Sequence, residues 1–301
     1  MTINPDILRE KRKAMGFTQE ELAERLGISR DQWSRIERGV SVIDLLKFLN
    51  FMELAGETAE DAWLLYMDTN EYNQYVFYKN AKKLLRDEKL EALKIEMSKL
   101  EGYGNVDVSI QQFLMVCGTI LNSDMSLESR EKELRLALSM SIKNFNEERT
   151  YSYRLRYNEI LILNNLGYTL FVLGDKLKGI RILEDIVTSA ENFRTSQDDK
   201  DHLYPTILNN LVVLYTVNGE HEKALKFAER ALAYIRESGY VMVSVLSVLH
   251  SIASAKKNLG ADSESVREYL VQAYYLSNIL GEYKTASFLR KDALESFGVP
   301  I

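Results

Sequence analysis

The chain has 301 residues, of which 46% are hydrophobic and 27% are charged, and its formal net charge is −6. This length allows two domains, and the composition is that of an ordinary folded protein rather than a disordered or fibrous one. Only three prolines are present to interrupt a helix, and a single cysteine excludes an internal disulfide. We therefore predict an all-α fold in a reducing, cytoplasmic compartment.

We expect no metal site, no cofactor and no membrane span. The three histidines, His202, His221 and His250, lie far apart in the sequence. The N-terminus lacks the basic and then apolar order of a secretion signal, and the most apolar stretch, Val241 to Ala255, is interrupted by serines and His250. Because no catalytic constellation or phosphate-binding loop is recognisable, we do not expect an enzyme.

The N-terminal part of the chain is predicted to form five short helices. They are expected at 6–15, 18–26, 29–37, 42–53 and 59–66. Gly16, Gly27, Gly39 and Gly56 separate these helices. Each glycine lies just past a helix end, where a left-handed backbone conformation is favoured. Thr18 and Ser29 are expected to cap the second and third helices, each with a polar residue three positions later that can complete a capping box.

Residues 18–37 predict two helices packed across a tight turn, an arrangement that lets the second helix enter the DNA major groove. Ala23 lies where the two helices approach closely, and Gly27 lies at the corner, where a side chain would be penalised. Apolar residues at helical spacing predict one buried face. They are Leu22, Leu26, Ile28, Trp33 and Ile36.

This segment resembles the Cro/C1-type (Xre) helix-turn-helix family over residues 6–66. The matching positions are Leu8-Arg9-x-x-Arg12, Gly16-x-Thr18-Gln19-x-x-Leu22-Ala23, Gly27-Ile28-Ser29, Ser34-x-Ile36-Glu37 and Gly39. The resemblance implies that Gln19 contacts a phosphate and that Arg12 pairs with Glu37. It also implies that Arg30, Asp31 and Arg35 face the major groove. Ser29, Ser34 and Arg38 are then expected near phosphates. Trp33 departs from the family, which has a medium aliphatic residue there.

Two details of this head stay open in the sequence. Asp31 either reads a base or pairs with Arg30 or Arg35 and orients them. The basic run Lys11-Arg12-Lys13 is either a solvated face or a phosphate contact. Residues 1–50 carry nine Lys and Arg against eight Asp and Glu, so the motif rather than the charge supports DNA binding. A head with so little positive charge is expected to depend on dimerisation for useful affinity.

We predict a helix-turn-helix domain at 1–66, a linker region at 67–79 and a repeat domain at 80–301. Asn80 to Glu101 places apolar residues at helical spacings, and Gly102 and Gly104 then break the pattern.

The C-terminal half contains a degenerate internal repeat. Leu166-Gly167, Gly174 and Gly179 align with Leu211-Val212, Gly219 and Ala224, each 45 residues further on, and later turns are expected at Gly260 and Gly281. The pattern is similar to the tetratricopeptide repeat, although the diagnostic Trp and Pro are missing, and it implies a right-handed solenoid of helical hairpins. The spacing exceeds the usual repeat of about 34 residues, which predicts long helices or an insertion near 194–201. The alternative is an irregular helical bundle.

The repeat region also predicts a peptide-binding groove. Asn is a poor interior helix residue, yet Asn164-Asn165 and Asn209-Asn210 recur at matched positions, which suggests amides that face a ligand backbone. Tyr168 and Phe171 are expected one and two turns further along the face of Asn164. The alternative is that one Asn of each pair bridges neighbouring helices.

The combination of head and repeat body resembles the Rgg/PlcR/PrgX-like group of peptide-pheromone-responsive regulators. The resemblance implies a cytoplasmic homodimer that binds promoter DNA through the head and a short signalling peptide through the body, as in quorum sensing. A second interpretation is a repressor whose repeat domain binds a protein partner instead of a peptide.

Overall fold

The computed structural model describes residues 4–57, 69–99, 106–190, 193–239 and 244–301. Over these ranges the chain is helical and contains no strand, which confirms the all-α prediction. The chain divides into two compact units, one made of residues 1–85 with 91–107 and the other of residues 86–90 with 108–301. No described helix is both long enough and apolar enough to cross a lipid bilayer.

The first unit contains six described helices. They are α1 (Pro5–Ala14), α2 (Gln19–Arg25), α3 (Arg30–Glu37), α4 (Leu45–Leu54), α5 (Thr69–Arg86) and α6 (Leu90–Ser98). The first three agree with the predicted helices to within one or two residues at each end. Helix α4 begins three residues later than predicted, because Asp44 caps it by accepting a hydrogen bond from the backbone N–H of Lys47. The predicted helix at 59–66 lies outside the described residues.

The core of the head is built from aromatic and aliphatic side chains of α1 to α4. Trp33 and Phe51 are fully buried, and their ring centroids lie 5.4 Å apart. Leu8, Leu22 and Leu26 complete this cluster. Each such side chain contributes about 1.5–3 kcal/mol by burial, so the cluster holds α2 and α3 at a fixed angle.

Helix α5 passes through most of the predicted linker, so residues 69–79 are helical. The single helix expected from Asn80 to Glu101 is instead divided in two, because Glu88 adopts a left-handed conformation with φ of 55° between α5 and α6. Propensity and periodicity did not indicate this turn, since Glu rarely adopts such a conformation.

The second unit is a series of helical hairpins that follows the predicted repeat. Its helices are α7 (Val108–Leu121), α8 (Leu127–Ser139), a short 3-10 helix (Glu147–Ser152), α9 (Tyr157–Val172), α10 (Lys176–Thr188), α11 (Gln197–Val217), α12 (His221–Ser238), α13 (Ser244–Asn258), α14 (Ser263–Ile279) and α15 (Tyr283–Glu295). The turns fall at the four predicted glycines, all with positive φ: Gly174, Gly219, Gly260 and Gly281. The long repeat spacing is explained by helix length, since α11 has 21 residues and α12 has 18.

The first hairpin of the repeat depends on two glycines that face each other across α9 and α10. A Cβ on Gly179 would lie 2.5 Å from the carbonyl oxygen of Gly167 and 2.9 Å from the backbone of Phe171. The helices therefore approach as closely as their backbones allow. In the next hairpin the same positions hold Val212 and Ala224, so that contact is wider.

The first helices of successive hairpins also contact each other. Helix α11 packs against α9 on one side and against α13 on the other. We call the exposed face that α9, α11, α13 and α15 share the inner face.

Candidate functional site

Local hydrogen bonds fix where α2 and α3 begin. The Thr18 hydroxyl accepts a hydrogen bond from the backbone N–H of Glu21 at 3.2 Å. The Glu21 carboxylate accepts one from the backbone N–H of Thr18 at 2.7 Å, which completes the predicted capping box. The Ser29 hydroxyl accepts from the N–H of Gln32 at 3.1 Å. Gly27 takes the predicted left-handed conformation, with φ of 65°. These bonds set the turn that places α3 at the surface.

A buried carboxylate ties α3 to the rest of the head. Glu37 is 1% exposed and accepts hydrogen bonds from Arg12 Nε at 2.6 Å, Gln19 Nε2 at 2.7 Å and Trp33 Nε1 at 2.8 Å. The pairing of Arg12 with Glu37 is as expected. Burial alone raises the pKa of Glu37, but the hydrogen bonds that the carboxylate accepts outweigh it and lower the pKa below its ordinary value.

This network explains the departure at Trp33. The indole fills the core against Phe51 and also supplies an N–H donor to the buried carboxylate, which no aliphatic residue could do. The sequence predicted a core position here but not the hydrogen bond, although Trp33 and Glu37 lie four residues apart on α3, a spacing that places both side chains on one face of the helix.

The major-groove set predicted on α3 lies on its exposed face. Arg30, Asp31 and Arg35 are all exposed, and none of their side chains forms a hydrogen bond or an ion pair with another described residue. The open alternative that Asp31 pairs with a neighbouring arginine is therefore not realised in this structure. Arg can form two hydrogen bonds with guanine O6 and N7, whereas Asp accepts from cytosine N4.

The residues predicted near phosphates are placed less uniformly. Ser29 is the N-cap of α3, Ser34 is half-buried, and Arg38 is exposed with its Nε donating to the Ser34 carbonyl at 3.3 Å. Gln19 is half-buried and gives one amide hydrogen to Glu37. Since a phosphate only accepts hydrogen bonds, Gln19 has one side-chain hydrogen left for that contact.

The basic run on α1 divides three ways. Lys11 forms an ion pair with Glu57, Arg12 is buried against Glu37, and Lys13 is exposed. Of the three, Lys13 has no ion-pair partner among the described residues and is the one available to solvent or a phosphate.

On the inner face, the predicted asparagines lie together but have different partners. Asn210 Nδ2 donates to Asn164 Oδ1 at 2.9 Å and so joins α11 to α9. The Ser251 hydroxyl donates to Asn209 Oδ1 at 3.5 Å and joins α13 to α11. Asn165 donates to the carbonyl of Leu161 on its own helix at 2.8 Å. The polar residues thus form a band across three helices.

Two predicted groove residues are less accessible than expected. Phe171 is 5% exposed and packs against Gly179 between α9 and α10, so the prediction that it shares the groove face is wrong. Phe171 follows Tyr168 by three positions, which leaves the two side chains about 60° apart around α9. This rotation turns Phe171 toward Gly179 on α10. Asn164 is also 5% exposed and bridges two helices, which is the alternative that the sequence left open.

An apolar stripe lies beside the polar band. It consists of Tyr168 and Val172 on α9 and Val213 and Val217 on α11, which are 40%, 47%, 36% and 64% exposed. Sequence reasoning identified only Tyr168. The same 45-residue offset that aligns the asparagine pairs also aligns Tyr168 with Val213 and Val172 with Val217, so the signal was present.

A separate cavity of about 750 Å³ opens among the hairpin turns and contains none of the predicted peptide residues. Its charges are largely paired internally, Lys178 with Glu147 and Asp175, and Lys223 with Glu220. Tyr215 closes its floor by donating to Glu184, and burial followed by that bond raises the pKa of the tyrosine. Within the described residues no cluster of His, Cys, Asp and Glu could hold a metal ion.

Known proteins resemble this chain both in its N-terminal head and over nearly its whole length. Residues 8–55 match the family model described as Helix-turn-helix. PlcR from Bacillus thuringiensis, in complex with the peptide PapR7 and DNA, is similar with a TM-score of 0.68 at 14% identity, covering 95% of this chain and 98% of that chain. The chain has the PlcR fold.

Two further structures share this PlcR fold. ComR from S. thermophilus, in complex with DNA and its signalling peptide ComS, has a TM-score of 0.60 at 17% identity, covering 97% of this chain and 98% of that chain. The SHP pheromone receptor Rgg2 from Streptococcus dysgalactiae has a TM-score of 0.52 at 17% identity, with the same coverage. No curated protein is significantly similar in sequence. The similarity to the PlcR and ComR structures confirms the tetratricopeptide-like architecture expected after the head.

Proposed function

We propose that this protein is a cytoplasmic transcriptional regulator whose binding to promoter DNA is controlled by a short signalling peptide held on the inner face. The observation that carries the proposal is that one chain has an exposed set of polar side chains on α3, at the positions predicted to read bases, together with a polar band and an apolar stripe on the inner face. The PlcR and ComR structures, which contain DNA and a peptide, support the same combination.

The DNA half of the proposal depends on α3. Arg30, Asp31 and Arg35 point away from a core that is held by Glu37, so their side chains can enter the major groove without breaking any internal contact. Gln19 and Lys13 supply donors to the phosphate backbone on either side. Phosphate contacts position the helix, and the exposed residues of α3 select the bases.

The peptide half depends on the two kinds of surface on the inner face. Amide side chains match the N–H and C=O groups of an extended peptide backbone, and Asn165 and Asn209 are half-buried, within reach of a ligand. The stripe that includes Val172 and Val217 matches apolar side chains at intervals along the same ligand. We therefore assign the face to a short, largely apolar peptide rather than to a folded protein partner.

A homodimer is part of the proposal because the head is nearly neutral. A single head with one net positive charge in residues 1–50 binds DNA weakly, whereas two heads on a palindromic site add their contacts. Such a site requires the two recognition helices about 34 Å apart. Exposed Val42, Leu45 and Leu46, which follow α3, are a candidate contact surface for the second head.

The control step is a thermodynamic linkage between the two halves. A peptide that prefers one arrangement of the dimer changes the DNA affinity by some factor, and DNA must change the peptide affinity by the same factor. Peptides that bind both arrangements equally would bind without regulating.

The test uses the full-length chain with a pool of random double-stranded DNA and a library of random heptapeptides. We expect a palindromic DNA sequence to be enriched and some peptides to be retained, with a DNA affinity that changes when the peptides are added. Arg30→Ala should weaken specific DNA binding and keep peptide binding, whereas Asn210→Ala should weaken peptide binding and keep DNA binding. Retention of peptides without any effect on DNA affinity would contradict the control step, and retention of no peptide would contradict the peptide assignment.

A further inference from the structure

The last link across the inner face joins α13 to α15 and differs from the others in pairing an imidazole with a carboxylate. His250 Nε2 lies 2.8 Å from Asp292 Oδ2. His250 is the residue immediately before Ser251, whose hydroxyl donates to Asn209. The His250–Asp292 pair therefore continues the polar band. Unlike the asparagine links, it places a carboxylate and an imidazole at one end of the proposed groove.

The carboxylate fixes which nitrogen of His250 faces the ligand. Burial alone raises the pKa of Asp292, but hydrogen bonds from Ser296 and His250 lower it below its ordinary value, so Asp292 is ionised at neutral pH. An ionised carboxylate only accepts hydrogen bonds, and Nε2 must therefore donate to it. In the neutral imidazole, Nδ1 is then a bare acceptor, and no other described residue hydrogen-bonds to it.

An exposed aromatic ring lies near the imidazole of His250. The ring centroid of Phe288 is 6.3 Å from that of His250, and Phe288 is 58% exposed. An exposed phenyl face attracts a cation through its quadrupole. Acceptor nitrogen, carboxylate and phenyl face all favour the same kind of group, one that is positively charged and donates hydrogen bonds.

The basic side chain whose charge acts on Asp292, Lys257, is already engaged elsewhere. Lys257 donates to the backbone carbonyl of Ser296 and lies over the ring of Phe297, with its Nζ 5.3 Å from the ring centroid. Phe297 in turn packs edge-on against His250, with the ring centroids 5.5 Å apart. Phe297 thus packs against the imidazole, and Nδ1 is the ring nitrogen that no described residue engages.

We propose that His250, Asp292 and Phe288 form an ammonium subsite that binds the free N-terminus of the signalling peptide. His250 accepts a hydrogen bond through Nδ1, Asp292 fixes the proton on Nε2 and supplies the negative charge, and Phe288 covers the ammonium. The subsite sets the direction of the peptide, with its N-terminus at α13 and α15 and its chain running toward α11 and α9. This inference rests on the proposed function.

The test compares two heptapeptide libraries that have the same random sequences, one with a free N-terminal amine and one acetylated. Each is passed over the immobilised full-length chain, and retained peptides are quantified by mass spectrometry. We expect the free-amine library to be retained about tenfold more strongly, the equivalent of one charge-assisted hydrogen bond together with a cation–π contact.

Variants separate recognition of the amine from a structural role of the same residues. Phe288→Leu leaves the hydrogen bond between His250 and Asp292 intact, and position 288 is exposed, so the change should reduce the preference without lowering the melting temperature. His250→Ala should abolish the preference. Tyr283→Leu changes another exposed aromatic position on α15; it is the control and should keep the preference.

Each outcome bears on a different claim. Equal retention of the two libraries by the unmodified protein overturns the subsite and leaves the proposed function standing. A preference that survives both Phe288→Leu and His250→Ala also overturns it. Retention of neither library overturns the peptide-binding function, and the subsite falls with it.

Discussion

The head and the inner face of the body organise their polar side chains in opposite ways. In the head, one buried carboxylate, Glu37, collects the hydrogen bonds, and the side chains proposed to read DNA have no internal partner. On the inner face, the side chains proposed to meet a ligand are bonded to each other across helices. The head is therefore vulnerable at a single residue, whereas the inner face spreads its stability over a series of similar contacts.

The strongest way to break this contrast is Glu37→Gln. The change removes the charge and leaves the buried Arg12 guanidinium without its counterion, so we expect the head to lose about 4 kcal/mol in its free energy of unfolding. Urea unfolding of the head, followed by tryptophan fluorescence, measures the loss. A loss below about 1 kcal/mol, the level of an exposed ion pair, would contradict the central role of Glu37.

The same carboxylate predicts a pH dependence of known sign. Because the pKa of Glu37 is lower in the folded head than the ordinary value of 4.5, its contribution is complete above that pH and is lost as the pH falls below it. The unfolding midpoint of the unmodified protein should therefore fall in acid more steeply than that of Glu37→Gln. Parallel curves for the two proteins would contradict the prediction.

The second largest effect is expected in the body, at the closest helix contact. Gly179→Ala places a Cβ 2.5 Å from a backbone oxygen of α9, so the two helices must move apart. We expect a loss of about 3 kcal/mol in the free energy of unfolding, measured by denaturant titration followed by circular dichroism. Gly118→Ala is the matched control, because nothing lies within 4 Å of its added Cβ, and it should be neutral or slightly stabilising.

A smaller effect, on binding alone, is expected for α3. Arg30→Ala should weaken binding to the selected DNA site by about 2 kcal/mol and relax the preference at one base pair, with the melting temperature unchanged. Fluorescence anisotropy with specific and scrambled duplexes measures both. Lys13→Ala serves as the comparison, since loss of a phosphate contact should weaken binding to both duplexes equally. Equal effects of the two variants would mean that Arg30 does not read a base.

The smallest effect is expected on the inner face. Asn210→Ala removes the link to Asn164, which leaves a buried amide oxygen unpaired, so stability should fall by about 1 kcal/mol. Peptide binding should weaken while DNA binding by the peptide-free protein stays the same. If the response to retained peptides is unchanged, the asparagine bridge serves packing alone, and the groove must be sought elsewhere on the chain.

The head could be predicted from the sequence nearly in full because its signals are local. Thr18 and Ser29 cap helices within three residues of themselves, and Gly27 reports its own conformation. The indole hydrogen bond of Trp33 was missed although Glu37 lies only four residues further along α3, because the resemblance assigned Glu37 to Arg12 and Trp33 to the apolar core. The turn at Glu88 was missed for a different reason, because its side chain gives no signal of left-handed backbone.

The body yielded its architecture but only part of its site. The 45-residue offset located the turns and the asparagine pairs, because each copy of a repeat has the same helical phase. Phe171 was assigned to the wrong face since three residues of rotation separate it from Tyr168, and no repeat alignment reports burial. His250 and Asp292 lie 42 residues apart in different hairpins, so only the folded chain brings them together.

The asparagine bridge between α9 and α11 has an energetic consequence for whatever binds beside it. Since Asn210 Nδ2 already donates to Asn164 Oδ1, a peptide backbone that displaces this bond exchanges one hydrogen bond for another and releases little heat. The driving force must then come from covering Val172, Val213 and Val217, whose removal from water lowers the heat capacity. Calorimetry at several temperatures would therefore record binding enthalpies that become steadily more negative on warming, the mark of a receptor that selects its ligand by apolar shape.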